Sequence, residues 1–436
     1  MTRKAKRLEM ADFPVKDVRI DRQTRYQAGM LELSANELSS MALQDSRIEA
    51  ASIEVVVPGE KTRIYDIRDA VEPRVKVSGP GVVFPGILGP IEPVGEGKNH
   101  RLSGVRVIVS AYYKEAVRPG QQYDQRAVLD MWGPGAEASE YSREPAVVLV
   151  LRLAPGLHQL DAHAAIQQAE YRVARRLAET TVGLVPQRTE VFELAEDIPL
   201  LPRVVLIQGV ITFAQDPHGG VSYYGMPLRE SLNTLLHPNE LLDGVLTPYT
   251  LRATGHWPRT YDWMNHPIVL QLYNEHGRRF NWVGMILQRI RFENQTGKEV
   301  TARNATEVAE LLRVDGAILA RIGGGNAFMD VMLTVQGLER RGIKTVLVSY
   351  EQSGPNGTEL PFLFSVPEAD AIVSTGNTSV PLELPAPERT VGASDMIQIG
   401  TVVPFSPRSP LSVSRTEDYL GGADTLGADH RTTKLY

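Results

Sequence analysis

From about residue 17 to about residue 109, apolar and polar positions alternate in short runs, such as SIEVVV before Pro58-Gly59 and RVKVSG before Pro80-Gly81. A period of two, broken by Pro and Gly, predicts short strands joined by turns, so this half is expected to be β-rich. VRVIVSAYY and PAVVLVLRL add two strands, and the nearly continuous apolar run of the second suits a strand buried on both faces. The period then lengthens. Ala165, Ile166, Ala169, Val173 and Leu177 recur at helical spacing, predicting an amphipathic helix over 161–179 whose small face favours close packing.

Three prolines and the acidic residues Glu190, Glu193, Glu196 and Asp197 between 186 and 202 mark the expected domain boundary. Beyond it the rhythm changes. RVVLIQGVI reads as a buried strand, Pro227 with LRESLNTLL as a helix start, and FNWVGMIL, DGAILARI and IKTVLVSY as strands separated by helices over 302–313 and 328–341. That alternation implies parallel βαβ units with right-handed crossovers, and ADAIVSTGN joins the same sheet. The expected class is α/β: a β-rich domain over 1–195, then a Rossmann-like parallel-sheet domain over 196–391. A Ser-, Pro-, Thr- and Gly-rich segment over 392–436 is expected to be an extended or partly disordered tail.

Composition narrows the function. Over 436 residues, 42% hydrophobic and 22% charged positions describe an ordinary globular chain, long enough for two or three domains. A net charge of -6 and a pI near 5.9 offer no general basic field, so nucleic acid is not an expected partner. No uninterrupted apolar run is long enough for a membrane span, and the basic N-terminus is not followed by an apolar signal core, so a cytoplasmic protein is expected. The chain has no cysteine, which excludes disulfides, thiolate nucleophiles and thiolate metal sites together.

Candidate chemistry lies at strand ends. Gly323, Gly324, Gly325 and Asn326 stand between a buried strand and an amphipathic helix, where free N–H groups and the helix dipole favour an anion. The same glycines equally make a tight turn with Asn326 as N-cap, since no dinucleotide fingerprint surrounds them. Ser374, Thr375, Gly376 and Asn377 also follow a strand, and in an open parallel sheet both loops emerge on the carboxyl edge. Together they predict a crevice for a small anionic or zwitterionic ligand; taken singly, each is turn chemistry. His256, His266 and His276 recur every ten residues, but this is not a metal-ligand spacing, and surface or hydrogen-bonded core histidines are the simpler reading.

The word Val71-Glu72-Pro73-Arg74-Val75-Lys76-Val77-Ser78-Gly79, continued by Val83-Phe84-Pro85-Gly86, resembles the glycine/sarcosine/betaine reductase component B alpha/beta precursor family. The resemblance continues through Asp130-Met131, Gly133-Pro134-Gly135-Ala136-Glu137, Asp243-Gly244, Thr260-Tyr261, Asn265-His266-Pro267 and Gly342-Ile343-Lys344-Thr345-Val346-Leu347. It spans roughly 20–392. It implies a precursor that cuts itself at an internal cysteine, where the new N-terminus becomes a pyruvoyl group that condenses with a substrate amine. A carbonyl condensed with an amine withdraws electrons from the carbon–nitrogen bond. The resemblance places that region at 246–256, LTPYTLRATGH, which holds no cysteine.

The expected cofactor is therefore none, and the expected chain is a single uncut polypeptide. The alternative is attack by a threonine hydroxyl on its preceding carbonyl, which after elimination leaves a 2-oxobutanoyl group; Thr250, Thr254 and His256 are the catalytic candidates on that segment. The resemblance further implies a hetero-oligomer with a homologue of the component B third subunit, a selenoprotein or cysteine protein that completes the chemistry on a small amine substrate. A non-catalytic scaffold for that partner is the rival reading, and an independent small-molecule binding protein a third.

Overall fold

In the computed structural model the described residues are 5–113, 126–212, 220–229, 231–249, 257–321, 325–397 and 404–427. The alternating first half forms two principal sheets. One is four-stranded, with Arg7–Asp12 between Arg188–Glu193 and Gly97–Arg101, and Arg74–Ser78 at its edge. The other runs Ala127–Asp130, Thr62–Val71, Arg106–Tyr112, Ala146–Leu153, Ile48–Val56. Thr62–Val71 and most of Ala146–Leu153 are buried along their length, as the apolar run of the latter requires. The predicted amphipathic helix is Gln159–Glu179, and its face of Ala162, Ala165, Ile166, Ala169, Val173 and Leu177 packs into the first half's core.

The second half is built on a six-stranded sheet. Asn281–Ile290, Arg203–Ile211, Gly316–Ala320, Lys344–Glu351 and Ile372–Asn377 lie side by side and parallel, while Asn233–Leu236 joins antiparallel at one edge. Numbered along the chain, the parallel strands stand in the order 2-1-3-4-5. The parallel sheet agrees with the sequence pattern, but the order is the flavodoxin-like one, which differs from the 3-2-1-4-5-6 order of a Rossmann sheet. The segment read as a helix from Pro227 is instead a two-residue strand, Met226–Pro227, followed by the edge strand Asn233–Leu236. There, pairing with Asn281–Ile290 satisfies the backbone that a helix would have satisfied internally. STGN is the end of a strand rather than a loop beyond it.

Residues beyond Leu384 return to the first half. Arg389–Val391 adds a parallel strand to Thr62–Val71, and Leu411, Val413, Tyr419 and Leu420 are buried in the same cluster as Ile64 and Val148. Arg63, fully buried and paired with Asp130 at 2.7 Å, donates to the carbonyls of Pro385 and Ser409. The described part of the segment expected as a tail is thus extended, and it is held as an integral layer. No helix among the described residues is long and apolar enough to cross a membrane.

Candidate functional site

Several of the words that carry the family resemblance meet along the seam between the two halves. Arg74 donates to Glu72 at 2.6 Å, to the Leu242 carbonyl at 2.9 Å and to Asn265 Oδ1 at 2.6 Å. Asp243, buried completely, accepts from Lys76 Nζ, Asn99 Nδ2 and Gly95 N, each at 2.6 Å. The approach is close enough to demand glycine: a Cβ on Gly86 (φ +80) would stand 2.1 Å from the Tyr224 carbonyl oxygen, and one on Gly244 (φ +75) 2.6 Å from Phe84. Phe84 in turn stacks on Tyr171 at 4.2 Å.

Deeper in the seam, the helix Gln159–Glu179 turns His163, Gln167, Glu170 and Tyr171 inward. Their spacing keeps them on one helical face. His163 Nε2 and Gln167 Nε2 both meet the Pro248 carbonyl, at 3.0 and 2.9 Å, beside the stretch that the resemblance marks for cleavage. Asp69 accepts from the Thr260 backbone at 2.9 Å, the Thr260 hydroxyl at 2.5 Å and Tyr171 at 3.2 Å. Arg259 gives its protons to the carbonyls of Arg68 and Trp257 and faces Asp69 electrostatically. Glu170 is fully buried and neither carboxylate oxygen has a hydrogen-bond partner. Burial first, and then the charge of Asp69, pushes its pKa well above the usual carboxylate range, which favours its neutral form.

Next to this centre a crevice of about 440 Å³ opens between Tyr141 of the first half, Trp257, Arg259, Tyr261, Asp262 and Asn265 of the second, and residues 420–426. Tyr141 donates to Asp262 at 2.5 Å. Arg106 lies over both tyrosine rings, 4.8 Å from Tyr141 and 4.2 Å from Tyr261, fixing the wall from behind. Burial raises the Asp262 pKa, opposed by Tyr141 and by the charges of Arg259 and Arg106. The volume lies in the range of small-molecule sites.

The residues expected from sequence are distributed differently. Thr250, Thr254 and His256 lie outside the described residues, as do Gly323 and Gly324. Gly325 (φ +59) opens a short 3-10 turn, Asn326 is exposed, and the following helix, Phe328–Glu339, is capped by Ala327 without a side-chain bond, so Asn326 is not its N-cap. Thr375 donates to the Asp424 carbonyl at 2.5 Å. Asn377 binds the backbone of Ser353, Ser379 and Gly354. Gly376 is left-handed at φ +110 with open space beside it. Gly325 lines a cavity of about 80 Å³ whose described lining includes none of Thr375, Gly376 and Asn377. His266 meets Gln208 at 3.0 Å, and His276 accepts from the Trp282 backbone at 2.9 Å, the bland reading of those histidines. Among the described residues no cluster of His, Asp or Glu is arranged to hold a metal ion.

Comparison with known proteins agrees with the meeting of these words. The model of glycine/sarcosine/betaine reductase component B subunits matches residues 6–403, through both halves and the seam. The chain belongs to this family. It is 31% identical over 404 residues to the glycine reductase complex component B subunits alpha and beta of Acetoanaerobium sticklandii, covering 90% of this chain and 91% of the relative. The sarcosine reductase complex component B subunit alpha of Peptoclostridium acidaminophilum is 30% identical over 400 residues, with 90% of each covered. The betaine reductase complex component B subunit alpha of the same organism is 30% identical over 390 residues, covering 87% and 86%. No solved structure matches the chain. The cysteine from which the resemblance would derive a pyruvoyl group is absent, since the chain holds no cysteine.

Proposed function

We propose that this chain is the substrate-holding subunit of a cytoplasmic, multi-protein reductase-like complex. It binds a small amine or amino-acid-like molecule in the inter-half crevice, and a homologue of the component B third subunit completes the chemistry. The observation that carries the reading is the crevice: carboxylates at Asp262 and Glu140 and the rings of Tyr141, Tyr261 and Trp257 are the groups that recognise an ammonium. A chain without thiols cannot deliver reducing equivalents by thiol chemistry, so that step falls to the partner. Within this chain, the Glu170 carboxylic acid and the Asp69–Thr260–Tyr171 network hold a proton and a fixed polar wall behind the crevice.

The test is purification of the chain with its native partners, followed by assay of amine-dependent reduction by each fraction and by the recombined mixture. Turnover is expected only with both present. Full activity of the partner alone favours the scaffold reading, which one feature supports: Asp262 is already engaged by Tyr141 and by the Arg259 backbone. Full activity of this chain alone contradicts both.

A further inference from the structure

Arg321 immediately follows the strand Gly316–Ala320, at the carboxyl edge of the parallel sheet and just before the turn that starts the helix Phe328–Glu339. Its side chain is held in a fixed plane. Nε donates to Ser349 Oγ at 2.9 Å and Nη2 to the Tyr350 carbonyl at 3.1 Å, while the guanidinium carbon sits 4.3 Å from the ring centroids of both Phe328 and Tyr350. The residue is only 2% exposed, and Nη1 is buried without a hydrogen-bond partner. Among the described residues no carboxylate comes within ion-pair distance of it. Glu417, whose charge it feels, is engaged by Arg415, Thr378 and Gln352.

An arginine cannot escape such burial by losing its proton under ordinary conditions, and an unpaired buried cation is costly. Burial is the main pull on this guanidinium, and it acts against the charged form. The arginine also lines a cavity of about 80 Å³ with Gly325, Phe328, Gln352, Phe362 and Leu363. That is room for roughly two or three waters, hence for the head of a small anion. On the cavity wall, a Cβ on Gly325 would meet, among the described residues, only Leu363, at 3.9 Å, and Phe362 stacks on Phe328 at 4.9 Å. Carboxyl edges of open parallel sheets and starts of helices are also where anions are favoured.

We infer that Arg321 is the base of an anion subsite, in which the charge of its guanidinium, not matched by an ion pair among the described residues, holds a small oxyanion, a carboxylate or inorganic phosphate, in the adjoining cavity. The subsite shares no lining residue with the inter-half crevice. Its binding requires neither the amine nor a partner subunit, so it stands or falls apart from the proposed function.

The experiment titrates the full chain with sodium acetate, sodium formate and sodium phosphate, each against sodium chloride at matched ionic strength. Binding is read by calorimetry and by the melting temperature. At least one of the three is expected to bind saturably and raise the melting temperature; acetate or formate identifies a carboxylate site, phosphate a phosphate site. Arg321→Met, which fills the same volume without charge, is expected to melt no lower than wild type in chloride and to bind that anion at least tenfold more weakly. Should the Met variant not fold, Arg321→Gln also removes the charge, and the same tenfold weakening is expected. Failure of the wild type to bind any of the three overturns the inference. So does unchanged anion affinity in whichever variant folds.

Discussion

Glu170 and Arg321 are both buried ionisable side chains with at least one polar atom left without a partner, yet the molecule resolves the two differently. Glu170 sits in the seam beside Asp69, where burial and that neighbouring charge raise its pKa and favour the uncharged acid. Arg321 has no such exit. The same signature, an orphaned polar atom, therefore marks a stored proton in the seam and a place for an anion at the sheet edge. Which of the two it marks is decided by the chemistry of the side chain.

The most severe way to break the comparison is to orphan a buried charge that the seam now pairs. Asp243→Ala leaves Lys76, whose side chain is 4% exposed, without its carboxylate and strips acceptors from Asn99 and Gly95. Urea unfolding is expected to show a loss of about 3–5 kcal/mol.

A smaller effect tests the stored proton. The folded-state pKa of Glu170 lies above its ordinary value, so between the two the folded protein holds more protons than the unfolded chain. Stability from this group is complete below about pH 4.5 and is lost as pH rises toward the folded-state value. Glu170→Gln is expected to remove that slope and to be more stable than wild type at pH 8 by about 1–3 kcal/mol. His237, lowered to about 4 chiefly by burial, acts with the opposite sign: its contribution is lost as pH falls from 6.5 toward 4. Thermal melts of both proteins above pH 6.5 therefore isolate Glu170, and parallel curves there would show that its carboxyl is not held protonated.

The mildest change sharpens the other side of the comparison. Thr375→Val removes the bond to the Asp424 carbonyl and is expected to cost about 1 kcal/mol in thermal stability. It should leave the anion titration unchanged. A weakened anion affinity would join the Thr375 loop to the Arg321 cavity.

Much of the fold was legible because its signals are local. Continuous apolar runs such as VVLIQGVI announced parallel buried strands, and the period in 161–179 announced its helix. Strand order was not legible, since 2-1-3-4-5 depends on which strands pair over long separations. Pro227 resembled a helix start, whereas the edge backbone of Asn281–Ile290 selected a strand for Asn233–Leu236. The ordered end segment left no periodic trace because Leu411, Tyr419 and Leu420 anchor it one residue at a time. At the site, the family words around Arg74, Phe84, Asp243 and Asn265 did mark the seam. His163, Gln167 and Glu170 carried a readable sign, polar residues interrupting the buried face of an amphipathic helix. Arg321 carried none, because a single arginine after a strand is usually a solvated end, and only the rings of Phe328 and Tyr350 make it otherwise.

The central claim is a component B architecture without a self-generated carbonyl, and denaturing mass spectrometry of the chain from its native host tests it most directly. The account predicts one polypeptide that runs uncut through 246–256. Two fragments joined within 246–256, the second beginning with a carbonyl-bearing residue derived from Thr250 or Thr254, would contradict it and return the chemistry to this chain.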